Sequence, residues 1–345
     1  MKVLVLSTMV PFRQGNGSAL FNHLIENLQA TAGVEAEGFR LPVTLHPAER
    51  IIDEMSIARR LRLFNVDRLI ALNFPTYLVP WHDKVLWLPR QYRPAYDLLD
   101  AGGSSMLVDD RRGQIVSAIR VADGVSFHEA RRIYTVAPIV SERLLHYNDV
   151  ASSVLRPPLN DPALFTGGKS DGYILAAGRI NRRNRQHVLI RALRYSPGAR
   201  LVITGPPDTP ADAALLRLIV AEEGVGDRVA LDLRVLPRME MAGLINRALA
   251  VAYVPVDEDV LGWHAMGALQ AGKPVLTVTD AGSVLDLVRD GESGLVVAPE
   301  PEALGAALAR LTGVPSLARQ LGQAGRLAMD QEVPGWPAAI ERLLA

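Results

Sequence analysis

Arginines crowd the start of one helix in the second half of the chain. The stretch AAGRINRRNRQ follows an apolar strand pattern, with Gly178 at the turn and Arg179 next to it. A guanidinium at this place can hold a phosphate by two parallel hydrogen bonds. Four like charges within seven residues repel one another, and an anionic ligand would relieve them: Arg179, Arg182, Arg183 and Arg185. The alternative to a phosphate site is a basic helix start that is simply solvated. Because Arg179 lies directly at the end of the strand, we favour Arg179 as a phosphate ligand.

An acidic run precedes a second predicted helix start, in DVLGWHAMGALQAGKPV. Asp257, Glu258 and Asp259 come shortly before Gly262, where the helix should begin. Glycine permits close approach of a ligand, and the N–H groups after it can bind a diphosphate without any side chain. The alternative is a surface loop whose charge favours the helix dipole. Trp263 and His264 are more often packing residues than catalysts, although both lie where the wall of a cleft is expected.

Two more glycine corners follow predicted strands. Gly15, Asn16 and Gly17 lie just before a helix that starts near Ser18, and unpaired N–H groups there suit a phosphate or a sugar hydroxyl. The alternative is a plain turn with Ser18 as the N-cap. The corner GPPD, which begins at Gly205, is scaffold first, because proline fixes the chain and removes donors.

A polar and aromatic corner follows a strand in the first half, in WLPRQYRPAYDLLD. Aromatic rings combined with fork-shaped donors suit the recognition of a sugar or a phosphate. A buried polar corner explains the same residues equally well. The candidates are Arg90, Gln91, Tyr92 and Arg93.

Residues 49–64, ERIIDEMSIARRLRLF, mix apolar and basic side chains. This pattern is typical of a helix that covers a sheet, and contact with an anionic membrane surface is the alternative. We favour the sheet-covering helix.

Composition excludes several classes of site. A formal charge of zero over 345 residues argues against nucleic acid as a partner, because such binding rests on neutralising phosphates. The absence of cysteine excludes disulfides, cysteine nucleophiles and thiolate metal sites. The histidines are scattered, with no His-x-x-x-His pair, which argues against zinc. We interpret the apolar start MKVLVLSTMVPF as a first strand and expect a cytoplasmic protein.

Apolar β-rich runs alternate with helical patterns along both halves of the chain, which predicts α/β architecture with two doubly wound sheets. The runs in the first half are residues 3–7, 68–72, 85–88, 133–137 and 153–155. The Pro- and Gly-rich stretch 156–172 is the predicted linker. We predict an N-terminal domain at 1–160, a C-terminal domain at 161–334, and a last helix at 335–345 that packs back on the first domain. A ligand-binding cleft is expected between the carboxyl ends of the two sheets.

The order of these motifs over essentially the whole chain resembles the family 4 glycosyltransferases, in particular those of bacterial polysaccharide and lipopolysaccharide assembly. The resemblance rests on PFRQGNG, KVLWLPRQYRPAYDL, GRINRRNRQHVLIRA, ITGPPD and AGKPVLTVTDAGSVLDLVRDGESGLVV together. It implies the GT-B fold, two facing Rossmann-like domains with an interdomain cleft. It also implies retaining transfer from a nucleotide-diphosphate sugar, with no metal or other cofactor.

The resemblance implies specific site residues, and several positions depart from the pattern. Arg179 matches the arginine that holds the diphosphate, while the lysine five residues later is Asn184. In the Glu-x7-Glu pattern the first acid is Asp259, and the ribose-binding second acid is replaced by Gly267. The histidine of the first-domain corner is Arg90.

We therefore predict catalytic roles for Arg179 and Asp259, and we predict which residues bind the donor and the acceptor. The predicted donor-binding residues are Gly15, Gly17, Gly178, Arg179, Arg183, Asn184, Arg185, Gly205, Leu261, Gly262, Trp263 and Gly267. The predicted acceptor-binding residues are Asn16, Ser18, Arg90, Gln91, Tyr92 and Arg93.

The leading hypothesis is a retaining glycosyltransferase that moves a sugar from a nucleotide-diphosphate sugar to a glycan or lipid-linked acceptor, with peripheral contact to the inner face of the cell membrane as an additional expectation. The alternative is a non-catalytic GT-B protein that binds a glycan or supports an active glycosyltransferase partner. The substitutions at Asn184, Gly267 and Arg90 favour this alternative.

Overall fold

The computed structural model describes residues 1–11, 16–101 and 110–345, without the side chains of residues 16–18 and 110. The chain divides into two compact units. The first comprises Met1–Pro158 with Pro334–Ala345, and the second comprises Leu159–Val333. The boundaries predicted from the sequence differ from these by two residues and by one.

The first unit is built on a six-stranded parallel sheet. Its strands are β1 (Lys2–Met9), β2 (Glu35–Pro42), β3 (Arg68–Ala71), β4 (Lys84–Leu88), β5 (Arg132–Thr135) and β6 (Ser153–Val154). Its first five helices are α1 (Asn16–Gln29), α2 (Ile51–Arg60), α3 (Asp97–Asp100), α4 (Asp110–Glu129) and α5 (Pro138–Asn148). The strand order is β2-β1-β3-β4-β5-β6, so the direction of winding reverses at β1. All five apolar runs predicted as strands lie in this sheet.

Strand β2 was not predicted from the sequence, because its residues EAEGFRLP contain no apolar run. It lies at the edge of the sheet and pairs only with β1, from Lys2 opposite Glu35 to Met9 opposite Pro42. An edge strand with one exposed face tolerates polar residues at most positions, and charges there discourage pairing with other chains.

Helix α2 covers the sheet, as favoured for residues 49–64. Ile51, Met55 and Ala58 are buried in the core of the first unit. Their spacing of four and three residues places them on one face of the helix. The segment leaves helical geometry after Arg60, whereas the sequence pattern extended the helix to Phe64. Within the described residues, no helix is long and apolar enough to cross a membrane.

The second unit contains another six-stranded parallel sheet. Its strands are β7 (Tyr173–Ala177), β8 (Arg200–Thr204), β9 (Val229–Asp232), β10 (Ala250–Ala252), β11 (Val275–Val278) and β12 (Gly294–Val297). Its helices are α6 (Gln186–Ala192), α7 (Pro210–Glu222), α8 (Arg238–Arg247), α9 (Trp263–Gln270), α10 (Pro301–Gly313) and α11 (Pro315–Glu332). The strand order is β12-β11-β10-β7-β8-β9. The strands are mostly buried on both faces, which explains their continuous apolar sequences.

The last helix, α12 (Trp336–Leu344), belongs to the first unit. The guanidinium of Arg68 donates to the carbonyl of Leu343 at 3.1 Å, and the hydroxyl of Tyr134 donates to the carbonyl of Arg342 at 3.0 Å. The Trp336 ring meets the Trp87 ring edge-on, with 6.2 Å between the ring centroids. These contacts tie the chain end to strands β3, β4 and β5.

A buried carboxyl group lies in the core of the first unit. Asp123, on α4, is fully buried, and its two carboxyl oxygens accept hydrogen bonds from the hydroxyls of Tyr77 at 2.9 Å and Tyr96 at 2.8 Å. Burial raises the pKa of Asp123 to about 7, although both hydrogen bonds oppose the shift. The carboxyl therefore titrates near neutral pH in the folded protein.

We expect Asp123→Asn to change how the stability of the first unit depends on pH. The pKa of Asp123 is about 7 when folded, against about 3.9 for an unfolded chain, so the folded state binds the proton more tightly. This contribution is complete below about pH 4 and is lost as pH rises towards 7. The free energy of unfolding of the wild type, minus that of Asp123→Asn, should therefore fall between pH 5 and pH 8.

The measurement is urea denaturation followed by tryptophan fluorescence, since Trp81, Trp87 and Trp336 all lie in the first unit. Asp53→Asn on the exposed face of α2 is the matched control and should leave the pH dependence of the wild type unchanged. Parallel pH profiles for wild type and Asp123→Asn would contradict the assignment.

Candidate functional site

The second sheet reverses its direction of winding at β7. This strand pairs with β8 on one side and with β10 on the other, where Ile174 lies opposite Ala250. The loops after β7 and β10 therefore leave the same sheet edge and lead to helices on opposite faces. Ligands of open α/β sheets bind at such a reversal. The predicted donor residues from Gly178 to Gly267, except Gly205, follow these two strands.

Two strand ends meet at Gly178 and Gly205. Gly205 has a φ of +133°, and a side chain there would begin 2.0 Å from the carbonyl oxygen of Gly178. No other residue fits this contact without moving the loop after β7 or the loop after β8. The glycine at 205 is thus required by packing, which agrees with its interpretation as scaffold, and its contact with a donor stays a prediction.

Arg179 extends from the end of β7 and is held by an acid of the next loop. Its Nε donates to Oδ1 of Asp208 at 2.6 Å, and Asn181 donates to the other oxygen of Asp208 at 3.0 Å. The Arg179 side chain remains 47% exposed. The guanidinium is therefore oriented by the chain and still accessible to a ligand.

Asn184 supports the main chain of Arg179. Its Nδ2 donates to the carbonyl of Arg179 at 2.6 Å, and Gln186 donates to the same carbonyl at 2.9 Å. The amide of Asn184 therefore has a structural task in this loop, and its predicted contact with a donor is not needed to explain its presence.

The two remaining arginines among the predicted donor residues join neighbouring loops. Arg185 donates to both oxygens of Asp280, at 2.7 and 2.5 Å, and to the carbonyl of Pro255 at 3.2 Å. This guanidinium lowers the pKa of Asp280. Arg183 donates to the carbonyl of Val256 at 3.1 Å. Charge repulsion in the cluster is thus relieved by Asp208 and Asp280, and it gives no separate argument for an anionic ligand.

The acidic run after β10 is fastened to the loop after β11. The N–H of Asp257 donates to the carbonyl of Asp280 at 2.8 Å, and the N–H of Ser283 donates to the carbonyl of Glu258 at 2.9 Å. Gly282 has a φ of +88°, and a side chain there would begin 2.3 Å from the Glu258 carbonyl oxygen. Asp259, the predicted catalytic acid, lies in the loop after β10 and is fully buried. The side chain of Leu261 lies in the hydrophobic core.

Helix α9 begins with an open N-terminus. Its N-cap is Gly262, which supplies no capping side chain, and the first turn contains no acidic residue. A helix start without a capping side chain or an acid suits an anion, because the first turn carries the positive end of the helix dipole. A side chain at 262 would begin 2.4 Å from the ring of Tyr253, so the glycine also allows Tyr253 to pack against the helix start.

The space beside Gly267 is filled by an aromatic ring. A side chain at 267 would begin 2.5 Å from the ring of Phe165, which is itself buried in the core of the second unit. The sequence indicated only that a carboxylate is missing at this position. The structure shows that Phe165 occupies the room that a side chain would need.

Arg238, at the start of α8, was missed by the sequence analysis. Its guanidinium lies over the ring of Trp263, 4.8 Å from the centroid, and it pairs with Asp161 at 2.7 Å. It also donates to the carbonyl of Asn160. Arg238 thereby connects the first residue of α9 with the segment that begins the second unit. No local pattern in the sequence pairs positions so far apart.

The predicted acceptor corner of the first unit is largely internal. Gln91 is 3% exposed and donates to Asn148, while Arg93 is 4% exposed and donates to Asp97 at 2.8 and 2.6 Å. Tyr92 stacks on Phe74, with 4.8 Å between the ring centroids. For these three the structure favours the buried polar corner over a binding role.

The remaining predicted acceptor-binding residues lie at Arg90 and at the start of α1. Arg90 is exposed on this corner. Asn16, Gly17 and Ser18 form the start of α1, and Gly15 lies outside the described residues. Within the described ranges there is no group of three or more His, Asp or Glu residues arranged to hold a metal ion.

We expect Gly267→Ala to destabilise the second unit, because even a methyl group would overlap the Phe165 ring. Overpacking of this kind typically costs about 1–3 kcal/mol. Gly243→Ala is the matched control, since a side chain there would meet only the flexible end of Arg247 at 3.4 Å. Alanine at that interior helical position should stabilise the protein by up to about 1 kcal/mol. Both changes are measured by thermal denaturation.

A second substitution tests the cause of the expected loss. Phe165→Leu in the Gly267→Ala background should recover part of the lost stability, which a double-mutant cycle detects as coupling. Equal stability of Gly267→Ala and the wild type would show that the ring does not confine position 267.

Comparison with known proteins finds a family model that matches the segment containing these loops. Residues 166–328 match the family model described as Glycosyl transferases group 1. D-inositol 3-phosphate glycosyltransferase of Mycolicibacterium smegmatis is 32% identical over 209 residues, which are 58% of this chain and 44% of that protein. The chain therefore spans less than half the length of this curated relative.

Solved structures share the fold along the whole chain. Sucrose-phosphate synthase from Thermosynechococcus elongatus superimposes with a TM-score of 0.78 at 18% identity, covering 99% of this chain and 97% of that one. Anabaena Alr3699/HepE in complex with UDP gives a TM-score of 0.73 at 15% identity, covering 100% and 98%. The prediction of a GT-B fold with two Rossmann-like units is confirmed, and the match to the glycosyl transferases group 1 model lies within the second unit.

Proposed function

We propose that this protein is a retaining glycosyltransferase that moves a sugar from a nucleotide-diphosphate sugar to a glycan or lipid-linked acceptor. The observation that carries the proposal is the winding reversal at β7, where one strand leads to the exposed guanidinium of Arg179 and its neighbour β10 leads to the uncapped start of α9. The family match over residues 166–328 supports the same function. Further support comes from a curated relative named as an inositol phosphate glycosyltransferase and from a similar structure in complex with UDP.

In this mechanism the second unit stabilises the leaving diphosphate. Negative charge develops on the diphosphate as the bond to the sugar breaks, and donors already aimed at that charge lower the barrier. The N–H groups of the first turn of α9 and the guanidinium of Arg179 are the donors. The ion pair with Asp208 orients Arg179 beforehand, and since both side chains are partly exposed, sharing the guanidinium with a ligand costs little. The mechanism uses no metal ion.

Binding of the nucleoside would lack one carboxylate that the family resemblance implies. A hydrogen bond to a charged group contributes about 1.5–3 kcal/mol, so its absence corresponds to roughly ten- to a hundredfold weaker binding. The donor site proposed here therefore depends mainly on the diphosphate.

The acceptor is assigned to the first unit, at the start of α1 and at Arg90. Gln91 and Arg93 would shape this corner from inside, since both are buried. A glycan or lipid-linked acceptor, a cytoplasmic location and peripheral contact with a membrane all belong to the proposal.

A second candidate function is a non-catalytic protein that binds a glycan or supports an active glycosyltransferase. One specific observation favours it. The Phe165 ring fills the space beside Gly267, so the missing carboxylate has no room to be replaced by a small rearrangement. This candidate predicts glycan binding without nucleotide binding.

Calorimetry with UDP, GDP, ADP and dTDP tests the leading proposal, followed by a sugar-release assay with the nucleotide sugar whose nucleotide binds. We expect one of the four nucleotides to bind. Arg179→Ala should weaken the binding of that nucleotide by about tenfold or more, as for the loss of a charged hydrogen bond. Arg217→Ala, an exposed arginine on α7, is the matched control and should leave binding unchanged. No binding of any of the four nucleotides at millimolar concentration would overturn the enzyme proposal in favour of the second candidate.

A further inference from the structure

His264 lies at the winding reversal of the second sheet. It is the second residue of α9 and so belongs to the open first turn of that helix. A side chain at Gly178 would begin 3.6 Å from Nδ1 of His264 and 3.7 Å from its Cε1. The imidazole therefore packs over Gly178, which follows β7 and precedes Arg179 in the sequence.

The ring nitrogens of His264 have no partner within the described part of the chain. Within the described residues, the helical His146 and His187 also lack a hydrogen-bond partner, whereas His23 and His128 have one. Nδ1 of His23 contacts Glu26 at 2.9 Å, and Nδ1 of His128 contacts the carbonyl of Gly124 at 2.7 Å. A side chain chosen only to fill space over Gly178 would have no need of polar atoms, whereas a half-buried imidazole without partners is suited to a ligand.

The imidazole is neutral at physiological pH. His264 retains some surface exposure, yet its surroundings are dense enough that burial lowers its pKa to about 4. The positive end of the α9 dipole also disfavours a charged ring in the first turn. One ring nitrogen of a neutral imidazole carries a hydrogen and can donate it.

The first turn of α9, the imidazole of His264 and the loop that carries Arg179 thus lie at the same winding reversal. A neutral N–H donor that has no acceptor within the described residues and lies at a helix N-terminus suits an oxygen of an anion. We propose that His264 donates a hydrogen bond to the diphosphate of the bound nucleotide sugar and so acts as an additional donor-binding residue. This inference rests on the proposed function for the identity of the anion.

The first test observes His264 directly. Protein labelled with ¹⁵N-histidine is titrated with inorganic pyrophosphate, and the His264 signal is assigned as the one missing in His264→Gln. We expect a saturable shift of the His264 ring nitrogens. His187, a half-buried histidine on α6 whose pKa is also lowered by burial, should not shift. Absence of a saturable shift at His264 would overturn the inference.

The second test measures affinity for UDP and for uridine, which lacks the phosphates. We expect His264→Ala to weaken the binding of UDP by about tenfold, equivalent to ~1.4 kcal/mol, and to leave the binding of uridine unchanged. His264→Gln keeps an N–H donor and should recover part of the loss. His187→Ala is the matched control and should bind both ligands as the wild type does. Thermal denaturation of each variant separates a lost contact from a lost fold.

The outcomes distinguish this inference from the proposed function. Wild-type UDP affinity in His264→Ala, or equal losses for UDP and uridine, overturns the role of His264 while nucleotide binding itself stands. A pyrophosphate response at His264 in a protein that binds none of the four nucleotides supports an anion contact and instead removes the glycosyltransferase proposal.

Discussion

The functional edge of the second unit depends on how closely its loops approach one another. Gly205 meets the carbonyl of Gly178, and Gly282 meets the main chain of Glu258, at distances that leave no room for a side chain. Hydrogen bonds from Asp257 and Ser283 then join the loops after β10 and β11. Because these contacts are between main chains, the positions of Arg179 and of the first turn of α9 are fixed by backbone geometry.

Two arginines of these loops form ion pairs with aspartates of neighbouring loops. Arg179 is held by Asp208 and Arg185 by Asp280, but the two pairs differ in exposure. The Arg185 side chain is 14% exposed and binds two loops together, whereas that of Arg179 is 47% exposed. Of these two neighbouring arginines of similar sequence context, only Arg179 combines orientation with access to solvent. Position relative to the sheet, rather than charge density along the chain, separates a binding arginine from a structural one.

The sequence was sufficient for the architecture, because buried parallel strands produce apolar runs and their alternation with helices allows few topologies. The strand predicted at residues 85–88, for example, lies within β4, Lys84–Leu88. Strand β2 was not predicted, because an exposed edge strand does not require an apolar sequence pattern. The segment after β12 forms two helices, α10 and α11, which are separated by Val314 before Pro315. Proline at the start of a helix was the available signal for that division.

The candidate site was predicted less completely, for reasons that are physical. The motifs located its loops, since glycines and arginines after strands have local causes. They did not reveal that Asn184 supports the Arg179 carbonyl, because that contact depends on how the loop folds locally. They also did not reveal that Gln91 and Arg93 are buried, because burial depends on the rest of the unit. The same applies to Phe165, which is far from Gly267 in the chain and adjacent to it in space.

The pairing of Phe165 with Gly267 changes how the missing carboxylate is interpreted. A bare glycine would leave a space that water or a neighbouring acid could fill, and the loss would be a simple deletion. A buried ring excludes both, because an ionised group in contact with it would lose its hydration without compensation. Under the proposed function, affinity for a nucleotide comes from the phosphate end, through the first turn of α9, Arg179 and the neutral imidazole of His264. Of these, the imidazole of His264 brings no charge of its own to be desolvated, so its hydrogen bond adds to the site without opposing the burial that the surrounding loops impose.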